Sequence, residues 1–114
     1  MKPQKRTGKI EFEIGSANVY ADLRYSDPEA MLVKAQLVTK IAEILDERGL
    51  TQTRASVLLG MPQPKLSKLL RGQFRGFSER KLMDCLTCLG RDVQIVVRDQ
   101  RRKRGHGAVS VVFA

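Results

Sequence analysis

The chain has 114 residues, the size of one domain with short extensions, and its 42% hydrophobic content suffices for one core despite the absence of Trp and only 5% aromatics. A net charge of +9 and a pI near 10.1 favour acidic partners, with nucleic acid first and an anionic membrane surface second. A membrane role needs a long apolar run or a basic amphipathic helix with bulky apolar anchors, and neither is present in the sequence. Met1-Lys2-Pro3-Gln4-Lys5-Arg6 has no apolar stretch behind its charges, so it does not read as a secretory signal, and a cytoplasmic location is expected.

Residues 1–25 are expected to form a flexible arm. Met1 to Lys9 hold four cations and almost nothing apolar, the composition of a disordered basic segment. Ile10-Glu11-Phe12-Glu13-Ile14 alternates apolar and acidic residues like a half-buried strand, Gly15 to Asn18 reads as a turn, and Val19 to Tyr25 as an irregular apolar connector.

A helical domain is expected over residues 26–92. Ser26-Asp27-Pro28-Glu29 starts a helix in one of two ways. Either Ser26 and Glu29 form a capping box, or Asp27 caps and Pro28 takes the first helical position. That helix should run from about Asp27 to Arg48, with Leu37, Val38, Ile41, Ile44 and Leu45 inward and Lys40, Glu43, Asp46 and Glu47 outward. Gly49 ends it, where a positive φ is wanted. Thr51 caps a second helix reaching Leu59, Gly60-Met61-Pro62 turns, and Gln63 to Arg71 forms a third. Gly72 to Phe77 is a loop, and Ser78 caps a fourth helix ending at Gly90.

Residues 93–114 read as β. Val93 to Val97 and Ala108 to Phe113 have strand composition, with the cationic turn Arg101 to Gly107 between them. They are expected to pair as a hairpin or to join a sheet shared between two subunits, since lone strands do not stay unpaired. The fold class is therefore mainly α, with four helices and a small C-terminal β element. No internal repeat is visible.

The second and third helices meet the demands of a helix-turn-helix. Ser56 is small where the third helix must cross close above, and Gly60 four positions later tolerates left-handed φ at the turn. Ala55, Leu59, Met61, Leu66 and Leu69 fill the contact, and polar Gln52 opens the first helix of the pair. No acidic residue occurs from Leu50 to Ser78, while Arg54, Lys65, Lys68, Arg71 and Arg75 are all cationic, so one surface is positive and phosphate binding should weaken steeply with salt.

Three stretches within this window resemble the phage Cro and repressor (XRE) family: Leu50-Thr51-Gln52, Leu59-Gly60-Met61-Pro62-Gln63-Pro64-Lys65-Leu66-Ser67 and Leu70-Arg71-Gly72. Four more resemble its HigA-like antitoxins: Asn18 to Leu23, Ile41-Ala42-Glu43-Ile44-Leu45, Arg75-Gly76-Phe77-Ser78 and Leu89 to Val93. The resemblance implies a dimeric autorepressor on a double-stranded operator that also neutralises a small basic toxin of the RelE/HigB type. By family position, Gln63 and Lys68 point into the major groove with Lys65 and Ser67 beside them, where Gln pairs with adenine and Lys with guanine. Pro64 is placed to press on a thymine methyl, and Gln52, Arg71 and Arg75 to hold phosphates. Two positions depart from the pattern. Pro62 stands where a capping Ser is usual, and Arg54 where a capping-box Glu is common, each at a cost of roughly 1 kcal/mol. Arg54 is either a phosphate contact or a solvated cation.

Ile10 to Leu23 is the expected toxin contact, against the simpler reading that it packs on its own helices. The competing function is a stand-alone regulator without a toxin. RNA binding ranks third, because four Phe and two Tyr in apolar settings make no stacking surface. An enzyme is not expected: the sequence shows no nucleophile–base arrangement and no Gly-rich phosphate loop, and His106 is alone in its turn. Cys85 and Cys88 form a single C-x-x-C, too few ligands for structural zinc, and both are read as buried, unreactive thiols; no metal or cofactor is expected.

Overall fold

The computed structural model describes residues 27–99 and 105–114. The expected basic arm, the strand at 10–14, the connector after it and most of the turn at 101–104 lie outside the described residues. Four helices follow in order: α1 (Pro28–Glu47), α2 (Gln52–Leu59), α3 (Gln63–Leu70) and α4 (Glu79–Cys88).

Each helix is bounded by chemistry visible in its own sequence. Asp27 occupies the N-cap position of α1 with Pro28 just inside, the positions of the second expected start, although the Asp27 side chain makes no capping bond; Ser26, needed for the first, lies outside the described residues. Thr51 accepts a hydrogen bond from the Arg54 amide, and Ser78 accepts one from the Lys81 amide, so α2 and α4 begin on side-chain caps. Pro62 caps α3 with no side-chain bond, as its ring dictates. At the other ends one hydrogen-bond pattern recurs. Leu50, Met61, Gln73 and Arg91 each donate to the carbonyl five residues back, closing the helix C-termini with paired carbonyls. At Gly60 the backbone takes φ +68, which an L side chain adopts only under strain.

Helix α1 forms the spine. Met31, Val33, Ala35, Leu37, Val38, Ile41, Ile44 and Leu45 are buried along it, a stripe wide enough to meet more than one neighbour. It packs along α4 and touches α3, while α2 packs on both α3 and α4. The core closes with Leu66, Leu69, Phe74, Leu82 and Leu89, all essentially sealed from solvent. The Arg48 guanidinium donates to the Leu89 carbonyl at 2.6 Å, tying the end of α1 to the end of α4. Within the four-residue C-x-x-C, Cys85 is buried and Cys88 is exposed, so the expectation of two buried thiols holds for Cys85 only. Cys88 lies about 100° per residue around the helix from Leu89 and off the face of Leu82, Cys85 and Leu86.

The C-terminal residues depart from expectation. No strand forms among the described residues of 93–99 and 105–114, and the two apolar stretches do not pair as a hairpin. Instead, residues 109–113 run extended beside α1. The Val109 amide donates to Glu29 Oε2 at 2.8 Å, Val111 packs on the core, and the Lys40 ammonium sits 5.0 Å from the Phe113 ring centroid. The physical reason is the lack of a third layer: a two-stranded ribbon is marginal alone, and α1 offers the second stretch polar and apolar contacts that an isolated partner strand cannot.

Candidate nucleic-acid interface

The wedge of α2 and α3 is set by small and apolar contacts. Ser56 is buried with its hydroxyl donating to the Thr53 carbonyl at 2.8 Å, so the polar atom is satisfied within its own helix. Ala55, Leu59, Met61, Leu66 and Leu69 are all buried, as the pattern requires. With Leu66 and Leu69 held inward, helical geometry turns the remainder of α3 outward: Gln63, Pro64, Lys65 and Lys68 are exposed and Ser67 is half-buried. Arg71, the C-cap of α3, and Arg75 in the following loop are exposed as well.

Gln52 and Gln63 meet across the turn. The Gln63 side-chain amide donates to Gln52 Oε1 at 2.7 Å, joining the first residues of α2 and α3. The bond uses one hydrogen of the Gln63 amide and leaves its second hydrogen and its oxygen, a donor and an acceptor side by side. That is the pair an adenine edge presents in complement. It also fixes two rotamer-rich side chains before any ligand arrives. Arg54 is exposed near the start of α2, its amide engaged by Thr51. The sequence-predicted residues therefore lie on the first turn of α2, along the whole of α3 with its C-cap, and in the loop after it.

Two further residues shape this surface. The Lys34 ammonium, on α1, donates to the Arg75 carbonyl at 3.1 Å and pins the loop after α3 from behind. Phe77 is buried, and the Lys65 ammonium lies 5.3 Å from its ring centroid, a cation–π contact that restrains a side chain otherwise free to swing. Nothing in the sequence marks Lys34, which is 41 residues from its acceptor. Phe77 was visible only as part of the Arg75 to Ser78 stretch.

Among the described residues no group of three or more His, Cys, Asp or Glu is gathered as a metal site, and no helix is long and apolar enough to cross a membrane. Burial pushes the Cys85 thiol pKa up, with Lys81 partly opposing.

A helix-turn-helix domain family model matches residues 19–98, a span that contains all four helices. A solved structure named "Putative XRE Family Transcriptional Regulator" is 38% identical, with a TM-score of 0.73 over 77% of this chain and 99% of that one. This chain belongs to the XRE helix-turn-helix family. A search of curated proteins finds no match. As in the sequence reading, the XRE fold here is built from four helices, and the residues named for DNA contact fall on α2, α3 and the loop that follows.

Proposed function

We propose that this XRE-family protein is a sequence-specific, DNA-binding transcriptional repressor whose reading element is α3. The carrying observation is the Gln52–Gln63 pair at the tip of a wedge surrounded by cations, with no carboxylate between Leu50 and Ser78. In this reading Gln63 and Lys68 contact base edges in the major groove, flanked by Pro64, Lys65 and Ser67. Gln52, Arg54, Arg71 and Arg75 hold phosphates and set the register. One such helix reads few base pairs, so the protein acts as a homodimer on half-sites about 34 Å apart. It works in the cytoplasm, where such an operator is reached.

Gln63→Ala should change which operator bases are preferred, costing about 1–3 kcal/mol on the matched operator and little on a scrambled one. Arg71→Ala should weaken both alike and flatten the slope of log K against log salt by about 1 per protomer. Titrating each variant on both DNAs over a salt series checks this, and equal losses on both DNAs for Gln63→Ala would refute its base-reading role.

The repressor is further proposed to be the antitoxin of a small basic toxin of the RelE/HigB type. The support is the resemblance of Asn18 to Leu23, Ile41 to Leu45, Arg75 to Ser78 and Leu89 to Val93 to HigA-like antitoxins. Co-expression with the adjacent small gene should rescue growth, and deletion of residues 1–25 should abolish rescue while leaving operator binding mostly intact. Rescue that survives the deletion removes Ile10 to Leu23 as the toxin contact.

A further inference from the structure

Arg75 and Gly76 are the central residues of a β-turn, closed by the Phe77 amide donating to the Phe74 carbonyl at 2.9 Å. Phe74 and Phe77 are buried, so the ends of the turn are anchored in the core while its tip, Arg75 and Gly76, is exposed. The peptide joining Arg75 to Gly76 is the part of such a turn that can rotate with the ends held still. Type I and type II turns differ by about a half-rotation of this peptide, and type II requires positive φ at the third residue. Glycine at that position admits both forms. Gly76 does not lie in the left-handed region, so the turn has the type I arrangement. The Lys34 ammonium of α1 reaches this same peptide from outside the turn, donating to the Arg75 carbonyl at 3.1 Å.

We propose that Lys34 is a positioning residue for DNA binding: it holds the Arg75 carbonyl toward α1 and so turns the Gly76 N–H, beside Arg75, toward the phosphate backbone. This rests on the repressor reading above and adds to it a residue outside the helix-turn-helix. In a trans peptide the carbonyl and the N–H point in opposite directions, and no cis bond occurs among the described residues. With the carbonyl drawn to α1, the N–H points away from it. That amide makes no hydrogen bond among the described residues, and a methyl group added at Gly76 would meet no atom within 4 Å. An outward N–H attracts a phosphate oxygen, whereas the flipped turn would put a carbonyl oxygen in its place and repel it. Lys34 itself is half-buried on α1, with its ammonium engaged by the turn, so its effect on DNA runs through the peptide it holds.

Titrating the full chain and its variants by fluorescence anisotropy on DNA upstream of the protein's own gene provides the test. Lys34→Met keeps the aliphatic stem and loses the donor, and should weaken binding about fivefold. Lys34→Arg keeps a donor and should bind within about twofold of the parent chain. Gly76→Ala alone should bind like the parent, because the side chain fits and a type I turn does not need glycine there. Combined with Lys34→Met it should recover most of the lost affinity, since alanine disfavours the flipped form. The slope of log K against log salt should stay nearly unchanged in Lys34→Met, whereas loss of a direct phosphate contact would lower it by about 1. In amide spectra of the free protein, the Gly76 resonance should move in Lys34→Met and hold in Lys34→Arg. A double variant as weak as Lys34→Met, a slope lowered by about 1, or a Gly76 resonance that Lys34→Met leaves in place overturns the positioning role and leaves the repressor reading standing. A parent chain that binds this DNA no better than a scrambled duplex at any salt overturns the repressor reading, and the proposal with it.

Discussion

The helical core and the C-terminal stretch answer the same physical demand in opposite ways. Between Asp27 and Gly90, nearly every large apolar residue of the sequence pattern finds a partner within the chain, and every helix ends on bonded carbonyls. Beyond Gly90, Val93, Ile95, Val96, Val97, Val109, Val112 and Phe113 remain exposed although their composition favours strands. Helices satisfy their backbone groups internally, so a single chain can complete them; strands satisfy theirs only against a neighbour. With the second half of the β pattern docked on α1, no neighbour is left for the first half among the described residues. The difference separates a self-sufficient helical core from a stretch that no described residue covers.

The sharpest way to break that contrast is to delete volume on each side of it. Leu66→Ala, in the sealed core under the recognition helix, should cost about 2–5 kcal/mol in urea unfolding. Ile95→Ala should cost less than about 0.5 kcal/mol at concentrations where the chain is monomeric, because it leaves no cavity. A large loss at Ile95 under those conditions would mean that the tail belongs to the monomer's fold after all.

Helix starts give the next largest effect. Ser78→Ala removes a side-chain cap that accepts from the Lys81 amide and should lower stability by about 1 kcal/mol. Pro62→Ser restores a capping oxygen worth about 1 kcal/mol but frees the unfolded chain by about 0.4–1 kcal/mol, so the net change should be near zero. Denaturant midpoints of the two variants check both numbers.

Thiol chemistry supplies the smallest. Alkylation of the native protein should label Cys88 quickly and Cys85 only on unfolding, read by mass spectrometry. Because burial raises the Cys85 pKa, the unfolded thiol ionises first as pH climbs. That contribution to stability is complete below the ordinary thiol range and declines above it, an effect that Cys85→Ala should remove.

Much of this was legible in the sequence, for identifiable reasons. Thr51, Ser78, Gly49 and Gly60 mark helix ends through local backbone chemistry, which needs no tertiary context. The residues of the wedge were legible because Ser56 and Gly60 sit at a spacing that few other arrangements require. The Lys34 bond to the Arg75 carbonyl was not, since it joins α1 to a loop through the exposed end of a flexible side chain. The exposure of Cys88 follows from helical phase once α4 is fixed, but a C-x-x-C pattern suggests two equivalent thiols. The hairpin expected at the C-terminus does not form among the described residues because alternation reports a preference for a pleated, half-buried surface and says nothing about what supplies it.

The central claim is that the wedge of α2 and α3 reads duplex DNA. Footprinting the purified protein on DNA upstream of its own gene, at about 50 mM salt where phosphate contacts are strongest, tests it most directly. Two protected half-sites one helical turn apart, fading as salt rises, are the predicted result. Uniform cleavage across that DNA at every protein concentration would contradict the account.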